Sequence, residues 1–148
     1  MKAQPLSAEE QRSSGFSHLI EIFFSDLIGI AALTGSLQLV PRVGFLTPGS
    51  LVRGVAGKIV TPFAGTTTLV ADIGSGGTDA AASTFVAAKS LLAVDWFSSV
   101  NTTPQLFTAA DQFIVLKFTA TVQNLTALTA GRLQVFLSVV DLNTISRP

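Results

Sequence analysis

The second half of the chain contains two segments in which apolar and polar residues alternate with a period of two. Between residues 114 and 122 every second residue is apolar, and from residue 117 onward Lys and Thr stand between them. Residues 132–139 repeat the pattern, with Arg, Gln and Ser opposite the apolar positions. Successive side chains of a β-strand point to opposite faces, so each segment is predicted to be a strand with one buried face.

Shorter alternating segments lie at residues 20–24, 33–39 and 66–73. Residues 51–63 alternate less regularly, because two glycines interrupt them, and this indicates a bend or bulge. Seven or eight strands separated by turn signals predict an all-β fold, either an antiparallel β-sandwich or a jelly roll. The expected core residues are Ile20, Ile22, Phe24, Leu69, Leu116, Phe118, Leu133, Val135 and Leu137.

One segment favours a helix instead. In residues 80–92, Ala82, Phe85, Val86 and Lys89 have the spacing of one helical face, and Thr or Asp just before them suits a helix start. We therefore predict one short helix there. The glycine-rich residues 74–77 before it are expected to form a flexible turn, and residues 98–110, with Asn, Thr and Pro, a loop.

The first 15 residues are polar and show no apolar period. Ser7 and Glu10 have capping-box spacing, which is compatible with one helical turn, but we favour an extended arm. The domain prediction is an N-terminal arm over residues 1–15 and a single β-sandwich over residues 16–148. A chain of 148 residues is long enough for one self-supporting core.

Charge composition limits the classes of partner. Nine basic and nine acidic residues cancel, and charged residues make up 12% of the chain, against about 25% in typical domains. Nucleic-acid binding is disfavoured, because it relies on an excess of cations. The chain has no cysteine, which excludes disulfides and thiolate metal sites and fits synthesis in a reducing cytoplasm.

The chain is also unusually apolar, with 48% hydrophobic residues and a mean hydropathy of +0.56. A membrane span is disfavoured, because the most apolar window, residues 19–40, contains Glu21 and Asp26, and a central carboxylate costs about 2.5–3.5 kcal/mol. The first 15 residues lack the apolar core of a secretory signal. The excess apolar surface is therefore expected to meet other protein subunits.

No catalytic or metal-binding motif is complete. The glycines at 74–77 lack the Lys-Ser/Thr of a phosphate-binding loop. Asp72, Ser75 and Asp79 are a weak calcium set, with only two carboxylates. His18, the only histidine, has no nucleophile motif beside it. We expect no enzyme activity, no cofactor and no metal. The candidate subunit-interface residues are Pro5, Leu6, Phe16, Trp96 and Phe97.

Three segments resemble small β-rich virion proteins of tailed phages: residues 51–74 (strand, Pro-Phe-Ala-Gly turn, strand), 84–93 (TFVAAKSLLA) and 128–140 (LTAGRLQVFLSVV). The resemblance implies a jelly-roll decoration, cement or minor capsid protein in the virion. Its partners would be the major capsid protein and copies of itself, most often as a trimer. A tail, neck or fibre-base component and a soluble glycan-binding β-sandwich remain the alternatives.

Overall fold

The computed structural model describes residues 1–40, 48–76, 85–107 and 113–144. These residues form nine strands, one α-helix and three short 3-10 turns. In chain order the strands and the helix are β1 (Lys2–Pro5), α1 (Ala8–Ser14), β2 (His18–Phe23), β3 (Thr34–Val40), β4 (Ser50–Ala64), β5 (Leu69–Gly76), β6 (Val86–Ser90), β7 (Trp96–Phe107), β8 (Phe113–Ala120) and β9 (Ala130–Asp141).

The strands form two antiparallel sheets. One has five strands in the order β1-β2-β9-β4-β7, and the other has four in the order β3-β8-β5-β6. Apolar side chains from both sheets pack into one buried cluster. The Phe63 ring on β4 and the Phe118 ring on β8 meet within it, with centroids 6.3 Å apart. The predicted all-β sandwich is therefore confirmed.

The alternation identified most of this core. Eight of the nine expected core residues are buried. The ninth, Phe24, lies in a 3-10 turn after β2 and packs against the core while only partly buried. Val122 was expected on the inner face of its strand, but β8 ends at Ala120 and Val122 is exposed.

The helix predicted over residues 80–92 is wrong where the structure describes it. Residues 80–84 lie outside the described ranges, Val86–Ser90 forms the edge strand β6, and Ala88 has a φ of 46°. Backbone hydrogen bonds close both ends of the pairing with β5: Phe85 N to Ile73 O at 2.9 Å and Leu91 N to Leu69 O at 3.0 Å. Pairing with β5 overrides the local helical preference of this alanine-rich segment.

Two predicted irregular segments also prove to be strand. Most of the expected loop at residues 98–110 belongs to β7, which pairs with β4, and residues 108–110 lie outside the described ranges. Residues 74–76 continue β5, where Gly74 pairs with Val115 and Gly76 with Phe113; Gly77, the last residue of the predicted turn, lies outside the described ranges. In both places a neighbouring strand supplies hydrogen-bond partners that outweigh the local turn signals.

The N-terminal residues are structured, in contrast to the expected loose arm. β1 adds a fifth strand beside β2, with Ala3 opposite Ile20. Ser7 and Glu10 form the capping box that starts α1, and Gly15 ends the helix with a φ of 74°, a conformation that glycine adopts without strain. The Met1 ammonium pairs with the Asp26 carboxylate.

Candidate binding groove on the outer face of the five-stranded sheet

A groove of about 630 Å³ lies on the outer face of the five-stranded sheet, between α1 and the start of β7. Residues of three strands and of the N-terminal segment line it. They are Leu6, Glu10, Ser13, Ser14, Phe16, Ala56, Trp96, Phe97, Ser98 and Phe136. We call it the outer-face groove.

The floor of the groove is hollow because two of the three residues that lie side by side across neighbouring strands are small. Phe136 on β9 pairs with Ala56 on β4, and Ala56 pairs with Ser98 on β7. Paired residues point to the same face, so one large side chain is followed by two small ones. The small pair leaves open space beside the Phe136 ring.

The first wall is built from the N-terminal segment. The Phe16 ring packs on Phe136, with centroids 5.9 Å apart and a tilt of 48°. Ser17 fixes this junction to β9: its N–H donates to Leu137 O at 2.8 Å, and its hydroxyl accepts from Val139 N at 2.9 Å. Helix α1 is therefore held over the sheet by bonds at its C-terminal end.

The opposite wall is Trp96, the first residue of β7. Its side chain is 63% exposed, and the Lys58 ammonium lies 4.4 Å from the ring centroid, a cation–π distance. Phe97 points to the inner layer and packs on Gly57: a Cβ at Gly57 would lie 2.2 Å from the Phe97 ring. Glycine at position 57 is therefore required for Phe97 to keep this position.

The groove is mainly apolar. Among the described residues that line it, Glu10 alone carries a charge. Hydrogen bonds from the Ser7 hydroxyl (2.7 Å) and the Ser7 N–H (2.9 Å) lower the pKa of the Glu10 carboxyl below its ordinary value. The carboxylate is ionised at neutral pH, and its capping-box bonds stabilise α1 in that form.

An ion-pair network lies on the same face beyond the groove. Glu21 on β2 pairs with Arg132 on β9 and accepts a hydrogen bond from Gln134 Nε2 at 2.9 Å. The Arg132 bond first, and then the Gln134 bond, lower the pKa of the Glu21 carboxyl. This network joins β2 to β9, which contributes Phe136 to the groove, and its residues do not line the groove.

The structure brings four of the five sequence-predicted interface residues together. Leu6, Phe16, Trp96 and Phe97 all line the groove, although 90 residues separate Leu6 from Trp96. Pro5 does not line it; it lies in β1 opposite His18. Sequence reasoning missed Phe136, although a signal was present, because Phe136 is an apolar residue on the polar face of an alternating strand.

The residues weighed for catalysis and metal binding have structural partners. His18 is buried at the inner edge of β2, and its Nδ1 lies 2.7 Å from Ser17 Oγ. The Asp72 carboxylate accepts a hydrogen bond from Ala88 N at 2.8 Å, which ties β6 to β5, while Asp79 lies outside the described residues. Within the described ranges no three His, Cys, Asp or Glu residues are placed to share a metal ion.

No protein-family model matches the chain, and comparisons with curated proteins and with solved structures give no match. Within the described part of the chain, no helix has both the length and the apolar character needed to span a membrane.

Proposed function

We propose that this protein is a non-enzymatic virion structural protein that binds neighbouring capsid subunits and stabilises the head. Strand order carries the proposal. Without β1, the sheets have the orders β2-β9-β4-β7 and β3-β8-β5-β6, and from β2 onward the chain changes sheet at every connection except β5–β6. We interpret this order as a jelly roll, an eight-stranded architecture that recurs in viral capsid and lectin domains.

The surface of the domain supports a binding role. A groove lined by Leu6, Phe16, Phe136 and Trp96 offers an apolar side chain of a neighbour a place to be buried. Tryptophan is among the residues that most often dominate the energy of protein interfaces. The low charge of the chain adds little repulsion when many copies lie close together on a shell.

The groove is also suited to binding without a large ordering cost. Its floor is a paired sheet. Its first wall is a helix whose N-terminal end is closed by the capping box and whose C-terminal end is tied to β9 through Ser17. Binding to a preformed surface loses less conformational entropy than binding to a mobile one. We therefore place the contact with the major capsid protein at the outer-face groove.

Particle stability tests the cementing role. Particles that lack the protein should lose their genome at lower temperature and under milder osmotic shock than complete particles, and adding back the purified protein should restore resistance. Particles of equal resistance with and without it would contradict this role. A location in the tail, neck or fibre base would be the alternative to examine next.

A matched pair of variants tests the groove itself. Trp96→Ala should weaken binding to particles by at least about tenfold, equivalent to about 1.4 kcal/mol. The control is Leu142→Ala, because Leu142 is also an exposed apolar residue but does not line the groove. Equal weakening by both variants would contradict an interface at the groove.

A glycan-binding module is the competing function, and the exposed Trp96 ring favours it, because a flat aromatic surface can stack on a sugar. Titration of the wild-type protein with a panel of oligosaccharides, followed by Trp96 fluorescence, distinguishes the two. Saturable quenching without particle binding would replace the structural proposal. Particle binding with unchanged fluorescence in every titration would support the structural proposal.

A further inference from the structure

The two walls of the outer-face groove carry charges of opposite sign. Glu10 lines the groove on the α1 side. Lys58 lies on the opposite side, where its ammonium sits 4.4 Å from the centroid of the Trp96 ring. Every other described residue that lines the groove is uncharged. The groove is therefore an apolar space with an acid at one wall and a base at the other.

Neither charge has a partner of opposite sign within the described part of the chain, because the ion pairs found there involve other residues. The Glu10 carboxylate accepts from the Ser7 hydroxyl at 2.7 Å and from the Ser7 N–H at 2.9 Å, both at Oε2, so Oε1 can accept a further bond. The Ser7 bonds lower the pKa of Glu10, which is therefore negative at neutral pH. The Lys58 ammonium contacts the face of an aromatic ring, and its N–H donors can still bind a carboxylate.

The space between the two charges has room for one large apolar side chain. Phe136, Ala56 and Ser98 lie side by side on three neighbouring strands. Neighbouring strands are about 4.8 Å apart, so about 10 Å separates Phe136 from Ser98 across the floor. The groove volume of about 630 Å³ lies within the range of about 300–1,000 Å³ that is usual for ligand sites. A phenylalanine or leucine side chain of a partner would be buried there against the Phe136 ring.

We infer that the outer-face groove binds a peptide segment in which a large apolar side chain stands between a basic and an acidic residue. The basic side chain pairs with Glu10 at the α1 wall. The acidic side chain pairs with Lys58 beside the Trp96 ring. Because the two charges lie on opposite sides of the floor, they also fix the direction in which the segment binds.

Other occupants complement the groove less well. A neutral glycan could stack on Trp96 but would leave the charges of Glu10 and Lys58 unpaired. An anionic lipid surface would meet the Glu10 carboxylate, which repels it. The inference deepens the proposed function, on which it rests for the protein that carries the segment, and it adds the chemistry that this segment must have.

Short synthetic peptides test the charge order without any assumption about the virion. In an extended Lys-Ala-Phe-Ala-Glu peptide the Lys, Phe and Glu side chains share one face. Three comparison peptides carry Lys at both ends, Glu at both ends or Gln at both ends, and all have blocked termini. Trp96 is the only tryptophan of the chain and lies at the groove, so its fluorescence reports binding. The Lys/Glu peptide should bind at least about fivefold tighter than each of the others at low salt, and added salt should reduce the difference.

Two variants assign each end of the peptide to its wall. Glu10→Gln removes the charge but keeps a residue that can form the capping box, and it should abolish the preference for Lys/Glu over Glu/Glu. Lys58→Met keeps an unbranched stem beside Trp96 and should abolish the preference for Lys/Glu over Lys/Lys. The matched controls are Glu9→Gln, on α1 but outside the groove lining, and Lys117→Met, on the other sheet. Both controls should keep the wild-type preference.

Circular dichroism melting should confirm that each variant is folded, and Lys58→Gln provides a second neutral variant if methionine disturbs the fold. Equal binding of all four peptides, no saturable fluorescence change with any of them, or equal effects of the controls would overturn the inference. Dimerisation that Trp96→Ala abolishes would also overturn it, because a second copy would then fill the groove. Particle binding without a peptide preference would overturn the inference alone. A clear preference for the Lys/Glu peptide in a protein that does not bind particles would contradict only the proposed function.

Discussion

The layer between the two sheets and the outer face of the five-stranded sheet are built by the same strands but carry different chemistry. The inner positions of β9, Leu133 and Val135, are fully buried aliphatic residues. The outer positions alternate with them and include Gln134 and Phe136, which contribute to the ion-pair network and the groove. A shift of one residue along a strand therefore exchanges a position that determines stability for one that is available for recognition.

The largest expected effect distinguishes the inward-facing from the outward-facing positions of β8, a strand of the four-stranded sheet. Phe118 is fully buried, whereas the neighbouring Lys117 is not. Phe118→Ala should lower the free energy of unfolding by about 3–5 kcal/mol, because it empties a packed aromatic site. Lys117→Ala should cost less than about 1 kcal/mol. Urea denaturation of both variants measures the difference, and equal costs would contradict the assigned faces.

A second substitution tests the packing of the Phe97 ring on Gly57. Gly57→Ala should cost about 1–3 kcal/mol, because the added methyl group would overlap the Phe97 ring and force it to move. The control is Gly29→Ala, where a Cβ meets nothing within 4 Å and the change should stay within about 0.5 kcal/mol. Thermal unfolding compares them, and a neutral Gly57→Ala would show that Phe97 is not packed as described.

Helix α1, which forms the first wall of the groove, should respond locally to the loss of its N-terminal cap. Ser7→Ala removes the hydroxyl that accepts from Glu10 N at 3.3 Å and should destabilise α1 by about 1 kcal/mol. Hydrogen exchange should speed up in α1 and remain unchanged in β8 and β9. Ser13→Ala is the control, because its hydroxyl bonds only the Glu10 carbonyl of the same helix. Faster exchange throughout the domain would contradict a local effect.

The smallest expected effect is a pH dependence. Burial lowers the pKa of His18 below its ordinary value, so the unfolded chain takes up the proton first as pH falls. This contribution to stability is present above about pH 6.5 and declines as pH falls toward the folded-state pKa. The melting temperature should therefore fall as the pH is lowered from about 7.5 to about 5.5. His18→Gln should make the melting temperature less dependent on pH over this range. An unchanged slope in His18→Gln would contradict a buried neutral imidazole.

Strands with a long alternating pattern were predicted correctly from the sequence. The prediction was wrong for strands that form only because a neighbouring strand supplies their hydrogen-bond partners. In β8 every second residue is apolar, and the predicted inner face was correct from Ile114 to Ala120. In β6 the exposed alanines show no alternation, and the strand exists because β5 supplies its partners. In β7 four residues, 101–104, stand opposite Arg53 of β4, so turn-forming residues lie within an edge strand, where proline is tolerated.

The groove was predictable only in part. Phe16, Trp96 and Phe97 were named from the sequence as candidate interface residues, and all three line the groove. The small residues that make the floor, Ala56 and Ser98, have no distinguishing local sequence. Their contribution to the floor depends on the register of β4 against β7 and β9. That register is set by the packing of the whole sheet.

A cryo-electron microscopy map of purified particles tests the central claim most directly, since it locates the domain and shows what faces its groove. We predict density for the two-sheet domain on the capsid, with the Trp96 groove filled by a side chain of a neighbouring subunit. Particles that contain no copy of the chain, or a map in which the groove faces solvent, would contradict it.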